Sequence, residues 1–235
     1  MMKLFDNPAF GMVLTILLFS FGSWLHGRIR TVRSLSFLNP FVIAVISGML
    51  IIGLTGIPLE SFNKGGQFLN FFLGPLVVVL AVPIYRSRQL IRLHALPILG
   101  AVITASFVSI TSVVWLSRLL GLDDGIIRSM MGKSTTTPIA MELAAMTGGD
   151  ESLAILGVTL TGILGSMMGK QLFALLKIRH PLAQGLALGS TSHAIGTAEA
   201  FSIGATEGAM SGLAMGISGI VSVLWLPILM ALYSI

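Results

Sequence analysis

Apolar runs follow one another along almost the whole chain, at 9–25, 39–56, 67–85, 95–119, 126–147, 152–176, 181–203 and 208–233. A helix rises about 1.5 Å per residue, so about 20 such residues cross the hydrocarbon core of a bilayer. Within 235 residues these runs leave no length for a separate soluble domain. Charged residues make up 10% of the sequence, against about 25% in a typical soluble domain. The chain reads as an all-α integral membrane protein with a single transmembrane domain over 1–235. We expect about six full spans plus two re-entrant or broken helical segments.

The breaks between runs carry most of the charge, and they set the expected topology. Fourteen Lys and Arg against nine acids give a net charge of +5. That is no basic stripe for nucleic acid; it is the excess expected of cytoplasmic loops. The run 9–25 has only Lys3 before it, partly cancelled by Asp6. It ends in Trp24, His26, Arg28, Arg30 and Arg33, the flank of a retained helix rather than a cleaved signal. The loops holding Arg28, Arg30 and Arg33 and holding Arg86, Arg88 and Arg92 belong inside. The break around Glu60 and Lys64 then lies outside, and 95–119 delivers Asp123 and Asp124 to the outside. If 126–147 also crossed, Asp150 and Glu151 would be inside and Lys177 and Arg179 outside, against the rule. A segment that dips in and returns restores it.

Sliding the sequence on itself by 57 residues lays 98–154 over 155–211 and suggests an internal repeat. Ile98-Leu99-Gly100 falls on Ile155-Leu156-Gly157, Thr104 on Thr161, Ser109 on Ser166 and Glu142 on Glu199. Gly132-Lys133-Ser134-Thr135-Thr136 overlies Gly189-Ser190-Thr191-Ser192-His193. Each unit reads as a span followed by an interrupted, hydroxyl-rich segment with one Glu. One net crossing per unit makes the repeat inverted, a recurring transporter plan. Two Ser/Thr-rich helices packing through small residues are the plainer alternative.

The chemistry concentrates in those two segments. In Lys133-Ser134-Thr135-Thr136-Thr137-Pro138, Thr137 as N-cap and Pro138 at the first helical position start a half-helix that Gly148-Gly149 can close. Its N-terminus sits near mid-depth, presenting N–H groups, hydroxyls and an ammonium to an anion. In Gly189-Ser190-Thr191-Ser192-His193, Thr191 or Ser192 can cap a short helix running to Gly204. We take Lys133, Ser134, Thr135, Thr136, Thr137, Ser190, Thr191, Ser192, His193 and Thr197 as candidate substrate ligands. Glu142, His193 and Glu199 are candidate proton carriers, the two Glu also candidate partners of Lys133. Each has a structural alternative, a snorkelling Lys or a satisfied interhelical His among them. Gly74, Pro75, Pro83 and Pro138 mark expected broken helices, with a simple kink the alternative at 74–83. The stretch Thr161-Gly162-Ile163-Leu164-Gly165 through Gly169-Lys170 reads as a close-packing face.

Enzymatic chemistry is not expected. No H-E-x-x-H motif occurs, and Ser192 beside His193 is poorly placed as nucleophile and base. The absence of Cys excludes disulfides, thiolate catalysis and Cys-ligated metal, and the 13 Met read as apolar filler. No metal and no cofactor are expected.

Leu73-Gly74-Pro75…Ala81-Val82-Pro83-Ile84-Tyr85, Lys133-Ser134-Thr135-Thr136-Thr137-Pro138-Ile139-Ala140, Thr161-Gly162-Ile163 and His193-Ala194-Ile195-Gly196-Thr197-Ala198 together resemble the LrgB/CidB family of membrane proteins. The resemblance covers 39–235 and extends to the C-terminal half of the plastid glycolate/glycerate transporter. It implies either of two roles. One is an antiholin-like or holin-like regulator of murein hydrolase export and autolysis; the other is a carrier of small carboxylates such as pyruvate, glycolate or glycerate. It also implies a bacterial inner-membrane location and a small LrgA/CidA-like membrane partner; a homo-oligomer is expected as well. We favour the carrier by alternating access, because a pore needs no pair of anion-binding helix starts.

Overall fold

The computed structural model describes residues 7–29 and 40–235. Arg30 and Arg33 of the expected basic loop, and Lys3 and Asp6 before the first run, lie outside them. The described residues form helices α1 (Pro8–Ile29), α2 (Pro40–Thr55), α3 (Leu59–Phe71), α4 (Leu73–Arg86), α5 (Arg88–Leu93), α6 (Ala95–Leu119), α7 (Asp124–Met130), α8 (Thr137–Thr147), α9 (Glu151–Leu175), α10 (Pro181–Ile203) and α11 (Ala205–Tyr233). The chain divides into two compact units, Met1–Val79 and Leu80–Ile235, with the boundary inside α4.

Four described helices are long and apolar enough to cross a membrane: α1 from Ala9, α6, α9 and α11. In the first unit, α2 is apolar but has only 16 residues. The run 67–85 is not one helix. It is divided at Phe72 between α3 and α4, and the break expected over 57–66 is largely the start of α3. Gly74 and Pro75 fall in the first turn of α4, where a missing N–H leaves no hydrogen bond unmade. Pro83 lies inside α4 without ending it, so the chain is interrupted just before these residues rather than at them.

The second unit is built on α6, α9 and α11, with two helical hairpins between them. Asp123 caps α7, its side chain accepting from Ile126 N at 3.1 Å. After six residues the chain re-enters helix as α8, and Gly148 ends it with a left-handed φ of 74°. Asp150 then caps α9, accepting from Leu153 N at 2.9 Å. The two arms lie side by side: Asp150 N donates to Ser129 Oγ at 2.7 Å and Arg128 to Thr147 O at 3.4 Å. Asp123, Asp124, Asp150 and Glu151 therefore share one end of the unit.

The second hairpin is hidden inside α10. At His193 the backbone has φ 37° and ψ −122°, and the helix reverses there. Ala200 on the return arm packs with Leu188 on the outgoing arm and with Phe173 of α9. Ile203 comes back to line one cavity with Gln184 and Ile178. This hairpin opens at the end carrying Lys177 and Arg179, opposite to the first.

Two apolar clusters show how the spans hold the hairpins. Ile110, Val113 and Val114 of α6 and Leu226 and Leu229 of α11 bury Ile127, Met131 and Leu143 of the first hairpin. Ile98 of α6 and Ala209 and Met210 of α11 bury Leu182 of the second. Between helices in lipid no hydrophobic force acts, so close contact and hydrogen bonds do the holding. Accordingly α11 buries Gly208, Ser211, Gly212, Ser218, Gly219 and Ser222. Gly189 lies so close to Ser211 that a Cβ there has no room. Moving α6 by 57 residues lands it on 152–176, one residue from the bounds of α9.

Candidate functional site

Both hairpin tips come to the middle of α9, because glycines there let them in. A Cβ on Gly157 would stand 3.4 Å from Lys133 Cβ, and one on Gly162 would stand 3.3 Å from His193 Cε1. Ser192 presses against Gly165 too closely for any side chain there. Positions 157 and 162 are separated by about 7.5 Å of helix rise. The close-packing face expected along 161–170 is thus the surface on which the second tip rests. The tips also touch each other. The His193 imidazole lies against the Lys133 backbone, with the Lys133 ammonium within electrostatic range.

At the first tip, the run Met131–Thr136 is a set of tight turns closed by Lys133 N to Met130 O at 3.1 Å and Thr135 N to Gly132 O at 3.0 Å. Thr136, not Thr137, is the N-cap, with extended geometry (φ −72°, ψ 153°) and no side-chain cap bond. Thr137 is already helical and Pro138 follows it, one residue further in than expected. The Thr135 hydroxyl is spent on Gly132 O at 2.8 Å. Ser134 is different. Its Oγ accepts from Ser109 Oγ of α6 at 2.7 Å and from Lys133 Nζ at 3.4 Å, which leaves its own proton for a further acceptor.

At the second tip the break is His193 itself, rather than Thr191 or Ser192 acting as a cap. Ser190 and Thr191 still belong to the outgoing arm and donate to Leu186 O and Ala187 O, both at 2.6 Å. Thr191 is exposed, whereas Ser192 is fully buried. Thr197 donates to His193 O at 2.7 Å and pairs with Ser211 Oγ at 2.9 Å, bracing the turn. A positive φ in a residue other than Gly costs about 1–3 kcal/mol and persists only where its surroundings fix it. His193 is 2% exposed, and its Nε2 has no hydrogen-bond partner among the described residues. A buried imidazole nitrogen without a partner is a group waiting for one.

The carboxylates lie elsewhere. Glu199 pairs with Lys170 at 2.6 Å, and Lys170 also donates to Ser202 at 2.9 Å. Glu199 is therefore not the partner of Lys133. Glu142 is exposed on α8. Lys170, Ser109 and Ser211 were not singled out as site residues. For Ser109 and Ser211 the signal is a serine in an apolar span, too common to read alone.

The assembled site is a pair of helix N-termini, at α8 and at the return arm of α10, aimed at one place from opposite ends. The tips carry a lysine, a serine with its own proton unspent and an unpartnered imidazole nitrogen. Helix N-termini carry partial positive charge, so this arrangement suits a small anion. Among the described residues no cluster of His, Cys, Asp or Glu is arranged to hold a metal.

The profile of the LrgB-like family matches residues 15–232, nearly the whole chain. The chain belongs to the LrgB-like family. It is 28% identical over 226 residues to the antiholin-like protein LrgB of Bacillus subtilis (strain 168), covering 96% of each. With the antiholin-like protein LrgB of Bacillus mycoides (strain KBAB4) it shares 27% over 224 residues, 95% of this chain and 96% of the relative. The same protein of Bacillus cereus (strain B4264) matches over the same share at 27%. No solved structure matches. This LrgB-like chain is a multi-pass membrane protein, and its relatives' name falls on the regulator side of the two expected roles.

Proposed function

We propose that this LrgB-like protein is a membrane carrier of small organic anions, of the short hydroxy- and ketocarboxylate class, working by alternating access. The observation behind this reading is the meeting of two oppositely opened hairpins, Lys133 on one tip and His193 on the other. Discontinuous helices meeting at mid-depth are the plan of carriers built from inverted repeats, and the 57-residue offset supports treating 98–154 and 155–211 as such a pair. A pore needs neither buried helix starts nor strained backbone. In this reading the carboxylate lies between Lys133 and the His193 nitrogen, with Ser134 donating to its hydroxyl or keto oxygen. The hydroxyls of Thr135, Ser190 and Thr197 hold the tips in shape. A coupled proton is assigned to His193 in preference to Glu142 or Glu199. The protein acts without catalysing a reaction, beside a small LrgA-like membrane subunit and as a homo-oligomer, with about six crossings in the whole chain.

A second reading, an antiholin-like regulator of murein hydrolase export and autolysis, is the one favoured by the printed names of the relatives. Uptake of labelled glycolate and pyruvate into proteoliposomes, with and without an LrgA-like subunit, separates the two. The carrier reading expects saturable uptake that Lys133→Ala and His193→Ala abolish. Absence of uptake in both preparations leaves the regulator. Unchanged uptake in both variants removes the tips from the site.

A further inference from the structure

Between the start of α6 and the outgoing arm of α10 lies a cavity of about 510 Å³, lined by His94, Ala101, Ala105, His180, Ala187 and Ser190 among others. Its two ends differ in chemistry. His94 and His180 immediately precede α6 and α10, at the end of the unit that also carries Arg88, Arg92, Lys177 and Arg179. Ser190 lies ten residues along α10 from His180, about 15 Å deeper by helix rise, and three residues short of the His193 turn. We propose that this cavity is the cytoplasmic vestibule through which a small hydrated anion reaches the hairpin tips; the identity of that cargo rests on the carrier reading.

Three features fit a passage rather than a binding site or a lipid slot. Two imidazoles line the mouth, and the cations at the same end of the unit raise the local anion concentration. The walls, alanines together with Pro97, Ile98, Leu182 and Leu186, carry no side-chain donors, so nothing holds an anion on the way, and weak binding along the path is what permeation requires. The floor ends at Ser190, whose proton is held by Leu186 O, one turn from the site. An acyl chain would suit the walls, but not the two imidazoles at the mouth.

The chain has no Cys, so single Ala105→Cys and Ala187→Cys variants report the vestibule directly. Leu164→Cys, at an exposed position near the middle of α9, serves as the lipid-facing control. Each is treated with membrane-impermeant thiol reagents, one anionic and one cationic, in inside-out and right-side-out vesicles. The vestibule expects both cavity cysteines to react at least tenfold faster than Leu164→Cys in inside-out vesicles and to stay protected in right-side-out ones, with the anionic reagent the faster. Reaction no faster than the control, or only from the outside, overturns the vestibule. A faster cationic reagent overturns its preference for anions. Labelling needs no transport, so the two proposals fail separately. Labelled cavities without uptake in proteoliposomes sink the carrier, whereas uptake without labelling sinks the vestibule.

Discussion

The two hairpins of the second unit reach the same place by different means. The first turns through six residues, Met131–Thr136, with Gly132 within the bend and Pro138 just after it. The second turns at one histidine in a backbone conformation that histidine rarely adopts. The first brings an ammonium and a serine proton; the second brings an imidazole. The first leaves its glutamate, Glu142, exposed, while the second ties Glu199 to Lys170. The position equivalent to Lys170 under the 57-residue shift is Val113, which has no charge to offer. Similar scaffolds thus hold unlike tips, and the asymmetry lies where a ligand would be held.

Substitutions can break or sharpen this comparison. The largest effect is expected where the second hairpin meets α11. Gly189→Leu drives a side chain into the Ser211 backbone and should cost about 3 kcal/mol or more. Gly100→Ala, with nothing within 4 Å of its Cβ, should change stability by about 1 kcal/mol or less. Thermal melting of the detergent-purified protein reads both; equal melting would mean that α10 and α11 do not pack as described.

Next in size is the difference between the tips. Hydrogen bonds to charged groups are worth about 1.5–3 kcal/mol, and the lysine brings a permanent charge whereas the imidazole is charged only while it holds the coupled proton. Lys133→Met should therefore weaken carboxylate binding by about tenfold or more, and His193→Gln by less. Titration with the purified protein decides this, and a larger loss at His193 would shift the charge to the second hairpin. A subtler test separates the ring from the backbone at that residue. His193→Gly should be more stable than His193→Ala by about 1 kcal/mol and melt higher, because Gly accepts a positive φ without strain. At an ordinary helical position the order reverses, and that outcome would remove the turn.

How much of this the sequence discloses follows from the same contrast. Gly132, Thr136, Pro138 and Gly148 announce a stop and a start, so the first hairpin is legible to within one residue. In the second segment Gly189 precedes the bend by four residues and Gly196 follows it by three, and neither makes it. Both are there for close packing. A helix-to-hairpin reversal set by tertiary contacts leaves no local signal, which is why Thr191 or Ser192 looked like the cap. Over 67–85 the apolar run hid a break at Phe72, because apolar residues fill both helices across it. The pairing of Glu199 with Lys170 joins residues on separate helices, beyond what spacing along one helix reveals.

The smallest expected effect concerns that pair. Lys170→Met should lower stability by about 0.5–1 kcal/mol, since the lysine side chain is half exposed. Glu142→Gln should leave it unchanged. Equal losses in both would mean that Glu142 has a partner of its own.

The meeting of the tips can be measured in a chain that carries no native cysteine. Lys133→Cys/His193→Cys is compared with Thr197→Cys/Ser211→Cys, whose native hydroxyl oxygens lie 2.9 Å apart. Both pairs are treated with a short bis-thiol reagent and digested, and the linked peptides are identified by mass. Efficient intramolecular linkage in both is the predicted result. Linkage in the Thr197/Ser211 pair with none between 133 and 193 would mean that the hairpins end apart, and no shared anion site would exist.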